Sequence, residues 1–167
     1  MDLIGRTTAV TPSREDLGAL LAEHPFVQGM APEHLAKLSC LVEKAHFDAG
    51  SLIFQEGQHA NRLYLILTGS VDLEVFNLDQ AGLVIQTVGN GDVLGWSWFA
   101  PPNRWRFDAK AMKATDALVF DAEKLLAAFE EDTRFGYDFM KRMAAIVDQR
   151  LNAAREHILN AYVFHRS

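Results

Sequence analysis

The chain has 167 residues, 49% of them hydrophobic and 23% charged, a composition that fits one globular domain, excludes disordered and fibrous architectures, and leaves a two-domain enzyme cramped. Sixteen Lys and Arg against 22 Asp and Glu leave a formal charge of −6, so any attraction to nucleic acid would need a local basic patch. The one cysteine excludes an internal disulfide or a CxxC metal site and fits a reducing cytoplasm, and no stretch reads as a signal peptide or membrane span.

In chain order, residues 1–10 read as a flexible lead and 11–167 as one domain, with helices over 11–44, a β-roll over 45–121 and helices over 122–162. Thr11-Pro12-Ser13-Arg14-Glu15-Asp16 predicts a helix start with a hydroxyl cap, Pro in the first turn and acids near the positive end of the dipole. Leu17, Leu20 and Leu21 supply a short apolar stripe. A second start at Ala31-Pro32-Glu33 leads into Leu35, Leu38 and Leu41 with Val42, spaced for one buried face. Cys40 stands beside that stripe and is expected to pack as an inert core side chain.

From Ala45 to Asp121 the period changes to two, in runs such as Ser51–Phe54, Leu63–Leu67, Val71–Phe76 and Leu83–Val88. Turn signals at Asp48-Ala49-Gly50, Glu56-Gly57-Gln58, Thr68-Gly69-Ser70 and Gly89-Asn90-Gly91-Asp92 separate them. The fold class is therefore mainly β with flanking α, an all-β roll or barrel between helices. No long helix interrupts the strands, which argues against a parallel βαβ sheet.

After Asp121 the helical period returns, first through Leu125, Leu126 and Phe129 and then in a long stretch from Thr133 to Tyr162. Met140, Ala144, Val147, Leu151, Ala154, Ile158 and Ala161 step along it by fours and threes, a heptad seam that predicts a homodimer. The alternative is that the seam packs on the chain's own roll. Lys141, Arg142, Asp148, Arg150, Arg155 and Glu156 read as the solvated side of this helix.

Three local patterns resemble the cyclic-nucleotide-binding domain family of catabolite-activator-type sensors. His24-Pro25-Phe26 with Met30–Leu35 is similar to its opening turn. Phe47–Gly57 resembles its F-x-x-G-x-x-I-x-x-x-G hairpin, and Leu63–Val71 its Y-x-I-x-x-G-x-V strand turn. The resemblance implies a jelly-roll β-roll of double-stranded β-helix type with a ligand cassette after a Gly-Asp turn, where a Glu takes the ribose hydroxyl and an Arg the cyclic phosphate.

The matching stretch here is Gly91 to Ala109, which makes Gly95, Trp96, Ser97, Trp98, Arg104, Arg106, Phe107 and Asp108 the candidate site. Counting back from Ala111-Met112-Lys113-Ala114 as the following strand, Arg106 falls at the phosphate position and is expected to face inward, with Arg104 the alternative. Two departures weaken the match: Trp96 stands where the family has Glu, and Phe107-Asp108 follow the Arg where it has small residues. Losing one hydrogen bond to a buried hydroxyl costs about 1–3 kcal/mol, so tight cAMP binding is not expected. Three outcomes stay open: cAMP or cGMP in an altered pose, another anion or planar molecule stacked on Trp96, Trp98, Trp105 and Phe107, or a cavity plugged by those rings.

Other chemistry lacks candidates. His46 and His59 stand alone where a cupin metal site would need a close pair, and nothing marks them or Met112 as haem ligands. Gly95-Trp96-Ser97-Trp98 is no nucleophile elbow. The expectation is a stand-alone, cytoplasmic, non-enzymatic sensor or regulatory module in which ligand in the roll moves a dimer helix, or else a ligand-free interaction scaffold. Its output would pass to an unknown protein partner, with no membrane and no direct nucleic acid, since no helix-turn-helix follows the roll; direct DNA regulation returns only if the chain is a piece of a longer regulator.

Overall fold

The computed structural model describes residues 11–76 and 81–164, so the expectation for residues 1–10 lies outside it. Helix α1 (Arg14–Glu23) starts from a reciprocal cap: the Asp16 amide donates to the Ser13 hydroxyl, and the Ser13 amide donates to the Asp16 carboxylate at 3.0 Å. The cap is therefore Ser13, and Pro12 precedes the helix instead of entering its first turn. Thr11 has Arg14 three residues on and cannot form this pair.

A short 3-10 turn (Pro25–Val27) leads to α2 (Pro32–Leu41), which buries Leu38. Cys40 is exposed, contrary to the expectation of a packed thiol. Two residues beyond Leu38 it lies about 200° around the helix axis, on the opposite face.

Eight strands follow: β1 (Glu43–Phe47), β2 (Leu52–Phe54), β3 (Arg62–Thr68), β4 (Ser70–Phe76), β5 (Gly82–Gly89), β6 (Val93–Leu94), β7 (Asp108–Ala111) and β8 (Thr115–Asp121). They form two four-stranded antiparallel sheets, ordered β1-β8-β3-β6 and β2-β7-β4-β5, which is the expected jelly roll. The strand read at Ala111–Ala114 lies earlier, at Asp108–Ala111. Its register is fixed by pairing with Val71–Glu74 of β4 and with Leu52 and Phe54 of β2.

Where the chain passes from β3 in the first sheet to β4 in the second, Gly69 takes φ +124°, and a Cβ there would lie 2.7 Å from the Thr115 Cα. Only glycine fits so close a backbone approach.

Asp121 caps α3 (Ala122–Glu131), and α4 (Thr133–Phe164) follows. Phe135, Phe139 and Met143 of α4 are fully buried in one continuous core with Leu21, Leu38, Phe129 and the strands. The Arg142 guanidinium fastens α4 to the N-terminal segment, donating to the carbonyls of Phe26 at 3.1 Å and Gln28 at 2.7 Å. Met140 packs partly on this core, but every residue from Leu151 to Val163 is exposed. The seam is thus divided: its first residue meets the chain's own core, and Leu151, Ala154 and Ile158 lie bare. Among the described residues no helix is long and apolar enough to cross a membrane.

Candidate functional site

The site grows from the connection between β6 and β7. Gly95 turns the chain at φ +85°, and a Cβ there would lie 2.9 Å from the Trp105 ring and 3.2 Å from the Arg62 carbonyl. Trp96 follows, then a 3-10 turn (Ser97–Phe99) that buries Ser97 and Trp98. The Trp98 indole donates to the Gly95 carbonyl at 3.0 Å, and the Asn103 side chain donates to the Trp98 carbonyl at 2.6 Å. Trp98 is therefore spent on holding the turn and offers no face to a ligand.

Trp105 enters the roll. Its ring is stacked on Phe54 at 3.8 Å between centroids and 12° between planes, and the residue is only 4% exposed. Phe107 tilts onto the same Phe54 at 5.9 Å, and Tyr64 closes the other side at 6.1 Å. Burial pushes the Tyr64 hydroxyl pKa up, with Arg62 opposing.

Because Trp105 takes the inward position, the next residue turns outward: Arg106 is exposed and has no hydrogen-bond or ion-pair partner among the described residues. This corrects the expectation of an inward guanidinium. Arg104 is exposed as well, donating to the Gly57 carbonyl at 2.7 Å. Asp108 is buried, and its carboxylate accepts from the Glu56 amide at 2.8 Å, so it closes the turn after β2 instead of facing a ligand.

Trp96 does something the sequence did not announce. The Arg150 guanidinium of α4 lies over its ring, 5.5 Å from the centroid, while Arg150 Nη2 donates to the Val93 carbonyl at 2.9 Å. Arg150 Nη1 is buried without a hydrogen-bond partner among the described residues. Burial pushes the Arg150 pKa down, and the charge of Asp92 opposes this. Reading Arg150 as a solvated charge overlooked a signal: Phe135, Phe139, Met143, Ile146 and Arg150 step by fours and threes along one inner face.

Of the candidates, Gly95 meets Trp105 and Phe107 meets Phe54, the ring on which Trp105 is stacked; Trp96 meets α4, and Arg104 and Arg106 stay outside. A cyclic nucleotide needs an acceptor for its ribose hydroxyl and a cation for its phosphate. Trp96 supplies no acceptor, neither arginine of the cassette faces inward, and the stacked Trp105 fills the space. In this conformation the residues present do not fit that ligand.

The fold and site define a jelly-roll domain whose cassette abuts a long terminal helix. The cyclic nucleotide-binding domain matches residues 44–132, and the chain belongs to that family. A cyclic nucleotide is accordingly the ligand class associated with its fold.

The chain is 23% identical over 124 residues to the anaerobic regulatory protein of Bacillus subtilis, covering 74% of this chain and 52% of that protein. It is 26% identical over 106 residues to a CRP-like cAMP-activated global transcriptional regulator of Mycobacterium tuberculosis, covering 64% and 47%. The chain thus spans about half the length of these curated relatives. Among solved structures, the Thermus thermophilus catabolite activator protein is 25% identical with a TM-score of 0.66, over 84% of this chain and 63% of that one. A cyclic nucleotide-binding domain from Methylobacillus flagellatus shares the fold with a TM-score of 0.75 at 18% identity, over 89% and 83%.

Proposed function

We propose that this chain is a regulatory module in which the β-roll and helix α4 act as one mechanical unit, and in which α4 pairs with a second copy of the chain. The observation that carries this reading is the course of α4. Its inner face is buried to Met143, grips the cassette through Arg150, and then leaves the body as an arm of about 20 Å with both sides bare. Leu151 is 67% exposed and Ile158 58%, at heptad spacing, the pattern of a coiled-coil seam awaiting its partner. Tightening or loosening the cassette would then tilt the arm, a two-state shift read by a cytoplasmic partner protein.

The test is hydrogen exchange. Ile158→Asp, which separates the arms, should speed exchange of the Val93–Phe99 amides, although Ile158 lies eight residues beyond Arg150 on α4. Unchanged exchange in a variant shown to be monomeric would remove the mechanical unit.

Control by cAMP or cGMP is the reading the family suggests for this unit. The filled roll favours a second one, an interaction scaffold that works without ligand. Calorimetric titration separates them: saturable heat lost in Arg106→Ala supports the sensor, and silence to about 1 mM supports the scaffold.

A further inference from the structure

The contents of the roll carry an inference beyond the coupling of roll and helix. Trp105 differs from an ordinary core side chain in where it is attached. It lies on the connection between the 3-10 turn and β7, flanked by exposed Pro101, Pro102, Arg104 and Arg106, and not on a strand of the sandwich. Two backbone bonds hold it, its amide donating to Gln58 O at 2.9 Å and its carbonyl accepting from Gly57 N at 2.8 Å.

The indole sits as a bound planar molecule would. One face lies flat on Phe54, and its edge meets the Gly95 backbone at a distance that no side chain at position 95 would allow. Asn103 and Arg104 before Trp105 are tied to Ala60 and Gly57, and connections of this kind still open at a lower free energy than the strands beneath them.

The surroundings of the indole also state what could replace it. Phe54, on which the indole lies, is itself packed by Tyr64 and Phe107, and the Asp108 carboxylate is engaged by the Glu56 amide. Arg104 and Arg106 are exposed, and Arg150 is engaged on the far ring, Trp96. An anionic phosphate would meet aromatic rings and no inward arginine of the cassette, while a neutral bicycle would recover the stacking that Trp105 makes now.

We propose that Trp105 is the built-in occupant of the roll's ligand cavity, and that this cavity takes a neutral planar bicycle in its place and not an anionic cyclic nucleotide. The inference concerns the roll alone, so it stands or falls apart from pairing through α4.

The test uses Trp105→Ala with free indole as the probe. Indole at roughly ten times its dissociation constant should raise the melting temperature of the variant by about 3–6 °C and shift the unmodified protein less, because there indole must first displace Trp105. cAMP should shift neither. A folded variant that ignores indole overturns the proposal.

If Trp105→Ala does not fold, the unmodified protein labelled with 5-fluorotryptophan gives the answer, with the Trp105 resonance assigned through Trp105→Phe. That resonance should stay in place with cAMP up to about 1 mM. A saturable shift on adding cAMP would show the indole yielding to the nucleotide and overturns the proposal.

Discussion

The guanidinium of Arg150 lies 5.5 Å above the ring of Trp96 and donates to the carbonyl of Val93, so one side chain of α4 grips both ends of the Gly95 turn. The contact costs the burial of one unpaired N–H and returns a cation–π interaction and a charge-assisted hydrogen bond. Truncation in Arg150→Ala should lower stability by about 1–2 kcal/mol. Acrylamide quenching gives the local readout, because Trp98 and Trp105 are buried and Trp96 is only partly buried. Quenching should rise in Arg150→Ala, and quenching equal to that of the unmodified protein would show that the two residues do not hold each other.

Acid should weaken the fold through His24. The Phe26 amide donates to His24 Nδ1 at 3.2 Å, so the proton sits on Nε2, which donates to the Ile66 carbonyl at 3.1 Å. Burial pushes the His24 pKa below its usual 6.5, against the opposing charge of Asp92. The unfolded chain therefore takes up the proton first. Stability is full above 6.5 and falls as pH drops from there towards the folded-state value, by about 1 kcal/mol or less per pH unit.

His46 has the opposite sign. Its hydrogen bond to Asp116 raises its pKa, so its contribution is present below 6.5 and is lost as pH rises through the folded value. It is exposed and its share is small. Urea midpoints measured down to about pH 5.5 should show a slope that flattens in His24→Asn; an unchanged slope would assign the acid sensitivity elsewhere.

Gly69→Ala tests the crossing between the sheets. The new methyl would meet the Thr115 backbone at 2.7 Å and would also force φ +124° on a residue with a Cβ. The expected loss is more than about 2 kcal/mol in chemical denaturation. A loss below about 0.5 kcal/mol would mean that the hairpin can shift sideways.

The roll and both helical flanks were legible in the sequence because each element carries its own periodicity and turn chemistry. Gly69 and Gly95 stand where positive φ is required, and period two gives way to heptad spacing at Asp121. The site was less legible for a physical reason. Inward and outward positions alternate along the segment entering β7, so placing that strand at Ala111–Ala114 instead of Asp108–Ala111 went with an inward Arg106, which the structure turns outward. Only the register with β4 and β2 gives the inside to Trp105. Arg150 escaped notice because a charge on a helix reads as solvated until its face is traced back to Phe135 and Met143. Cys40 failed in the other direction, since standing beside an apolar stripe in sequence differs from lying on it.

Pairing through α4 is the claim on which the regulatory reading rests, and molar mass by light scattering tests it most directly. The protein should weigh about twice its chain mass of 18.7 kDa, and Leu151→Asp should halve that value with the fold intact, since Leu151 is 67% exposed in the single chain. A mass of one chain for the unmodified protein, or a doubled mass that survives Leu151→Asp, would contradict it.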